Sequence, residues 1–248
     1  PMELPTPSVR ARELRVAVKF AGVNPVDWKM RAGGPLGLAA RVLGPPPPVV
    51  VGVDFDGIVE EVGAGVTAIR AGDRVVGGTD FSRRQRGSMA DTVVVRDDQV
   101  CVLPESVPLD VAAALPIAGV TAWRAVTELG RLPEGGRALI LGASGGVGQF
   151  AVQFAKRVRN AFTAGVCSAK NADLVSGLGA DQVIDYAAGD PIDQARALAP
   201  FDTIVDCVGT YAGPRARALL APHGRLVIVA GDSASMVLQT ILAPIRTK

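Results

Sequence analysis

The stretch Leu139-Ile140-Leu141-Gly142-Ala143-Ser144-Gly145-Gly146-Val147-Gly148-Gln149-Phe150 holds the residues best suited to chemistry in this chain. Its spacing, Ala143-x-Gly145-x-x-Gly148, is a dinucleotide fingerprint with alanine where the first glycine usually stands. The chemistry it offers is anion binding. Residues without a Cβ let the backbone turn sharply and approach a ligand, and the first turn of a following helix presents unpaired N–H groups and a positive dipole end to a pyrophosphate. The candidate cradle is Ala143, Ser144, Gly145, Gly146, Val147 and Gly148. Taken alone the match is weak, because any glycine-rich strand-to-helix turn has the same look.

A cradle of this kind needs a group that selects the ribose. In a dinucleotide fold it stands at the end of the next strand, an acid for a free 2′-hydroxyl or a basic residue for a 2′-phosphate. The next apolar run, Ala161 to Val166, leads into Cys167-Ser168-Ala169-Lys170-Asn171, which has a hydroxyl and a lysine but no carboxylate. Ser168 and Lys170 therefore fit the phosphorylated cofactor, NADPH, whose dianion would gain a charge-assisted partner. The competing reading makes Lys170 a solvated residue at the start of a helix.

The elements that must position these groups change character along the chain. Alternating apolar residues predict strands at Leu14–Phe20, Gly57–Gly63, Asp73–Gly77, Asp91–Val95 and Val100–Leu103, separated by glycine-containing turns. Between the first two lie Gly22-Val23-Asn24-Pro25-Val26-Asp27-Trp28-Lys29, read as a turn at Asn-Pro, and a loose segment ending in the proline run 45–48. Beyond Pro108 helical patches alternate with short apolar runs at Ala138–Leu141, Phe162–Val166, Gln182–Ile184, Thr203–Val205 and Leu226–Val229. That alternation predicts right-handed βαβ units and a doubly wound parallel sheet, so the fold class is α/β with a β-rich first domain over 1–108 and a second over 109–248.

Composition narrows the function classes. With 48% hydrophobic and 20% charged residues the chain has the balance of a globular protein, and its net charge of +2 provides no overall field for nucleic acid. The short run Arg83-Arg84-Gln85-Arg86 lacks interleaved aromatics and reads as a solvated loop. Cys101, Cys167 and Cys207 are far apart and odd in number, which argues against a disulfide framework or thiolate zinc site and fits a reducing compartment. No run approaches the about eighteen apolar residues of a membrane helix, so the expected location is cytoplasmic, with no membrane partner. The single histidine, His223, sits in a turn before an apolar run with no further ligands at a metal spacing. With no Gly-x-Ser-x-Gly elbow either, metal catalysis and serine hydrolysis are both disfavoured.

Several stretches together resemble the zinc-independent branch of the medium-chain dehydrogenase/reductase superfamily, nearest the quinone oxidoreductases and enone or alkenal reductases. They are Ala21 to Lys29, Asp54 to Gly63, Ala71 to Val75, Leu115 to Trp123, Gly142 to Gly148 and Leu178 to Tyr186, in the family's order. The resemblance implies a GroES-like first domain, a Rossmann second domain and NADPH lying between them. It also implies roles: Asn24 would meet substrate or nicotinamide, and Lys29 would bond the nicotinamide ribose. Thr121 would contact the cofactor, while Ser168, Lys170 and Tyr186 would hold the adenosine 2′-phosphate. Where zinc-dependent relatives carry Gly-His-Glu, this chain has Val53-Asp54-Phe55-Asp56.

The implied reaction is hydride transfer from NADPH to a quinone or an α,β-unsaturated carbonyl, with Asn24, Lys29 or backbone amides as donors to the carbonyl oxygen and water as the proton source. Two alternatives stand beside it, an enoyl reductase unit of a larger synthase and a non-catalytic NADPH-binding homologue. Against the family pattern the chain reads as shortened at both ends, with 235–245 as a bridging apolar helix. The substrate pocket would lie in the loops 33–48 and 81–87. Relatives pair through Rossmann sheet edges, which makes a homodimer an expectation although the strand usually used for it is not recognisable here.

Overall fold

The computed structural model of the chain describes residues 3–32, 37, 38, 42, 44, 49–211 and 213–229. The proline run 45–48, the bridging helix expected at 235–245 and most of the loop 33–48 lie outside the described residues. The chain divides into two compact units, Pro1–Ile117 and Ala118–Lys248.

The first unit is an antiparallel sheet of five strands, β1 (Glu13–Ala21), β2 (Asp54–Val62), β3 (Arg74–Gly78), β4 (Thr92–Arg96) and β5 (Val100–Val102), in the order β4-β1-β2-β3-β5. Alternation decides which face is buried. Leu14 and Val16 of β1 point inward with Phe55, Val59, Val75, Val93 and Val95 to form one core, while Arg15 pairs with Glu60 and Glu61 on the outside. The short helix Leu109–Ala112 packs on β1 and β2, so the first unit runs past position 108 to Ile117.

One element differs from the sequence expectation: the Asn-Pro turn opens a helix, Pro25–Ala32. Its start is a reciprocal cap, with the Asn24 N–H donating to Asp27 Oδ2 at 2.7 Å and the Asp27 N–H to the Asn24 carbonyl at 3.0 Å. Proline at the first helical position adds a preset φ.

Asp56, on β2, is fully buried. Its Oδ1 accepts the Phe20 N–H at 3.2 Å, and Oδ2 has no partner among the described residues. Burial pushes this carboxyl up from 3.8 to about 6, against the pull of the Phe20 and Ala113 amides. The folded state therefore holds the proton more tightly than the unfolded chain, and stability is lost as pH rises from about 4 to about 6. A rise of that size corresponds to about 3 kcal/mol, so Asp56→Asn is expected to be about 1–2 kcal/mol more stable than wild type at pH 7.5 and to equal or trail it at pH 4. Urea unfolding at the two pH values checks this; a wild-type midpoint that stays level between them contradicts it.

The second unit is a parallel sheet of β6 (Arg137–Leu141), β7 (Phe162–Cys167), β8 (Gln182–Asp185), β9 (Phe201–Asp206) and β10 (Leu220–Ile228), in the order β10-β9-β6-β7-β8. Chain order reverses on either side of β6, which puts a topological switch point between β6 and β9. Its strands read as near-continuous apolar runs because both faces are covered. Ala138, Ile140 and Val205 join a core with Ala151, Val152 and Ala155, whereas Leu139, Leu141, Ala164 and Ile204 join another with Ile192, Ala195 and Ala216. His223 is exposed with φ 66° at a register shift in β10 between Leu220 and Arg225.

Candidate functional site

The cradle forms where β6 ends. The Gly142 and Ala143 amides both donate to the Val166 carbonyl, at 3.1 and 2.8 Å, which pins the turn to β7, and Gly142 takes φ +77°. Gly145 then caps the helix Gly146–Gln153 with no side-chain hydrogen bond, so the first amides of that helix keep no side-chain acceptor, and Gly145 and Gly146 are exposed. A Cβ on Gly148 would lie 2.1 Å from the Gly142 carbonyl oxygen, so helix and strand approach as closely as backbone allows. Ala143, the departure from the usual fingerprint, is fully buried with its methyl in the core. Gly142 shapes the turn although it lies one position before the Ala143-x-Gly145-x-x-Gly148 spacing. Its signal was a glycine directly after the last strand residue.

The predicted selector lies on the same edge of the sheet. Ser168 follows β7 and precedes a single 3₁₀ turn, Ala169–Asn171, on which Lys170 is exposed and makes no ion pair among the described residues. Tyr186 follows β8, its N–H donating to the Cys167 carbonyl at 3.2 Å, and its side chain is exposed. Asn171, which no motif singled out, joins the two loops: its Nδ2 donates to Ser144 Oγ at 3.1 Å and to Ser168 Oγ at 3.3 Å. The structure thus brings Ser144 and Ser168 together, with Lys170 and Tyr186 on neighbouring backbone.

Two carboxylates also stand at these strand ends. Asp185 lies opposite Cys167 in the β7–β8 register, its Oδ1 accepting the Ala187 N–H at 2.9 Å; burial raises the Cys167 thiol pKa, and the Asp185 charge adds to it. Asp206, at the end of β9, is fully buried, and its Oδ1 accepts the Val208 and Gly209 amides at 2.9 and 2.8 Å. That Asx turn presses Val208 against Gly142 across the switch point, where a side chain on Gly142 would meet Val208 Cγ2 at 2.9 Å. Thr121 lies half-buried on the helix Pro116–Trp123, one turn beyond Ala118, whose Cβ is 3.9 Å from where a Gly146 side chain would start.

Asn24 and Lys29 belong to the first unit. Asn24 is held at both ends, its amide N–H by Asp27 and its Nδ2 by Asp54 Oδ2 at 2.9 Å. Asp54 also accepts the Ile117 N–H on both oxygens, at 3.1 and 3.2 Å. Both carboxyls are buried, and desolvation raises each pKa above its ordinary value, with hydrogen bonds from Asn24 opposing it. Lys29 follows on the helix with its Nζ 5.9 Å from the Trp28 ring centroid, and Trp28 is exposed. Among the described residues no group of three or more His, Cys, Asp or Glu could hold a metal ion.

Comparison with known proteins adds family to geometry. Residues 10–105 match the alcohol dehydrogenase GroES-like domain, and residues 146–245 match the zinc-binding dehydrogenase family. The human protein NAD(P)H oxidoreductase RTN4IP1, mitochondrial, is 39% identical over 209 residues, covering 79% of this chain and 52% of that protein. The chain thus spans about half the length of the curated relatives it matches. The quinone oxidoreductase of Coxiella burnetii superposes with a TM-score of 0.85 at 30% identity over 98% of this chain and 74% of the other. The Escherichia coli quinone oxidoreductase, solved in complex with NADPH, superposes with a TM-score of 0.76 at 26% identity over 96% and 73% of the two chains.

Proposed function

Because the chain belongs to the medium-chain dehydrogenase/reductase family, with quinone oxidoreductases among its relatives, we propose that it is an NADPH-dependent, zinc-free reductase of quinones or α,β-unsaturated carbonyls. The observation that carries the proposal is the joined pair of anion-facing loops: a turn shaped by Gly142 and Gly148, tied through Asn171 to a strand end bearing Ser168 and Lys170 and no acid.

These residues fit the cofactor. The uncapped amides of the helix Gly146–Gln153, with Ser144 and Val147, bind the pyrophosphate, and the missing side chain at Gly148 keeps that helix seated against the turn. Ser168, Lys170 and Tyr186 hold the 2′-phosphate, whose double charge suits a cation and hydroxyl donors. Thr121 contacts the cofactor from its helix. When bound, the cofactor supplies a hydride to the electron-poor carbon of the substrate. Asn24 and Lys29 donate to the oxygen on which charge develops, and a proton from water completes the reduction.

Asp54 and Asp56, which stand in place of part of a zinc motif, spend their carboxylates on the amides of Asn24, Ile117 and Phe20. Among the described residues no helix is long and apolar enough to cross a membrane, and all three cysteines are free thiols. A cytoplasmic location and a small-molecule substrate are part of the same proposal.

Titration of the purified chain with NADPH tests the proposal. Quenched protein fluorescence is expected, with a raised melting temperature corresponding to about 2.7 kcal/mol at a hundredfold excess over Kd. NADPH consumption is expected with a quinone or an enone. Neither quenching nor a melting shift would overturn the reading at its first step. Binding without turnover across a panel of quinones and enones would favour the non-catalytic binder, and turnover of enoyl thioesters alone would favour the synthase unit.

A further inference from the structure

Asn171 occupies the first position before the helix Ala172–Gly177, where an asparagine ordinarily turns its side chain onto its own helix amides, yet it makes no such bond. Its amide is spent elsewhere, on Ser144 Oγ in the glycine turn and on Ser168 Oγ at the end of β7. The backbone holds it there, the Asn171 N–H donating to the Ser168 carbonyl at 2.9 Å, and its side chain is half-buried.

The consequence lies in the serines. A hydroxyl has one hydrogen and two lone pairs. Once an N–H occupies a lone pair on each Oγ, the hydroxyl hydrogens point away from Asn171 and the two serines become donors. Anions need donors. Lys170, next door and free of ion pairs among the described residues, adds the charge.

We infer that Asn171 is the residue that sets preference for a 2′-phosphorylated dinucleotide, by committing the Ser168 and Ser144 hydroxyls as donors to the 2′-phosphate and pyrophosphate. The inference rests on the NADPH reading above. Asn171 acts through the serines and is a positioning residue.

Binding of NADPH, NADH, 2′,5′-ADP and 5′-AMP by wild type, Asn171→Ala and Asn171→Asp tests it. A carboxylate at this position accepts from both hydroxyls, turns their hydrogens inward and places a negative charge beside the 2′-phosphate. Asn171→Asp is therefore expected to weaken NADPH and 2′,5′-ADP roughly 30- to 100-fold, while NADH, which shares only the Ser144 contact to the pyrophosphate, weakens less than tenfold and 5′-AMP less than threefold. Asn171→Ala, which removes the orientation and adds no charge, is expected to weaken the phosphorylated pair roughly tenfold. Aspartate is as good a helix cap as asparagine, so Asn171→Asp is expected to melt no lower than wild type.

If the wild type binds neither dinucleotide, the cofactor reading fails and this inference with it. If the wild type favours NADPH and both variants keep its NADPH-to-NADH ratio, only this inference falls. Equal weakening of NADPH and NADH makes Asn171 merely structural and overturns it as well.

Discussion

Gly148→Ala is expected to abolish measurable NADPH binding and to lower the melting temperature by about 5–10 °C. The added methyl would sit 2.1 Å from the Gly142 carbonyl oxygen and 2.9 Å from both the Gly142 carbonyl carbon and Ala143 Cα. Those neighbours are backbone, and they cannot step aside, because the Gly142 and Ala143 amides are both fixed on the Val166 carbonyl. Relief must come from the helix Gly146–Gln153 moving off β6, which carries Ala151 and Val152 out of the core they share with Ala138 and Ile140. Overpacking costs about 1–3 kcal/mol where side chains can yield, and this site belongs at the upper end. Displacing the helix start by a fraction of an ångström also removes the amides from the pyrophosphate, so affinity falls by more than a hundredfold, about 3 kcal/mol. Gly177→Ala is the control, since a Cβ there meets nothing within 4 Å. Calorimetry and fluorescence titration on the two variants decide the matter; a Gly148→Ala protein that melts and binds like wild type would show that the turn is not the cofactor cradle.

The same turn shows how far the sequence could be read and where reading stopped. Strand periodicity located both sheets, because in β1 one face is buried and in β6 both are, and each leaves its own pattern of apolar residues. The parallel direction of the second sheet followed from the βαβ alternation, while its strand order came from the structure. Hidden from that reading were features that burial patterns do not encode.

The helix Pro25–Ala32 buries only Asp27, so it has no apolar periodicity, and its true signal was the cap, Asn24-Pro25-x-Asp27. Asp54, Asp56 and Asp206 are buried carboxylates at positions where a strand pattern expects apolar or exposed residues. Each makes sense only through amides that fold next to it, from Ile117 for Asp54 and from Phe20 for Asp56. Asn171 was legible as a polar residue in a loop, but its partner Ser144 lies on a different strand-to-helix turn, and no spacing rule connects the two. Spacing within a strand or a glycine turn was readable, whereas a helix cap with no apolar face behind it and side-chain bridges between separate loops were not.

Asp54 is the bridge with the largest expected effect on catalysis. Asp54→Ala is expected to reduce kcat/KM roughly 30- to 100-fold with binding of 2′,5′-ADP unchanged, since the nucleotide cradle belongs to the other compact unit. In the native protein the Asp54 carboxylate accepts the Asn24 side-chain amide and the Ile117 N–H. Removing it frees Asn24 to rotate away from the orientation in which, on the proposed function, its remaining groups would serve the substrate, and leaves two donors unpaired at about 1–3 kcal/mol each when buried. Part of that loss is offset, because desolvation and the neighbouring Asp27 both disfavour the charge on Asp54. The net loss of stability should therefore be smaller than the two unpaired donors alone imply.

The pH profile separates positioning from packing. Burial holds the Asp54 pKa above its ordinary 3.8, so wild-type kcat/KM should fall on an acid limb shifted upward from the usual carboxylate range, as the carboxyl takes a proton and accepts more weakly from Asn24. Asp54→Asn keeps the shape and one oxygen acceptor but cannot titrate. Its activity should lie between wild type and Asp54→Ala, with that acid limb gone. An Asp54→Ala enzyme within threefold of wild type, or an Asp54→Asn enzyme with the wild-type acid limb, would remove Asp54 from the mechanism and leave Asn24 positioned by its backbone cap on Asp27 alone.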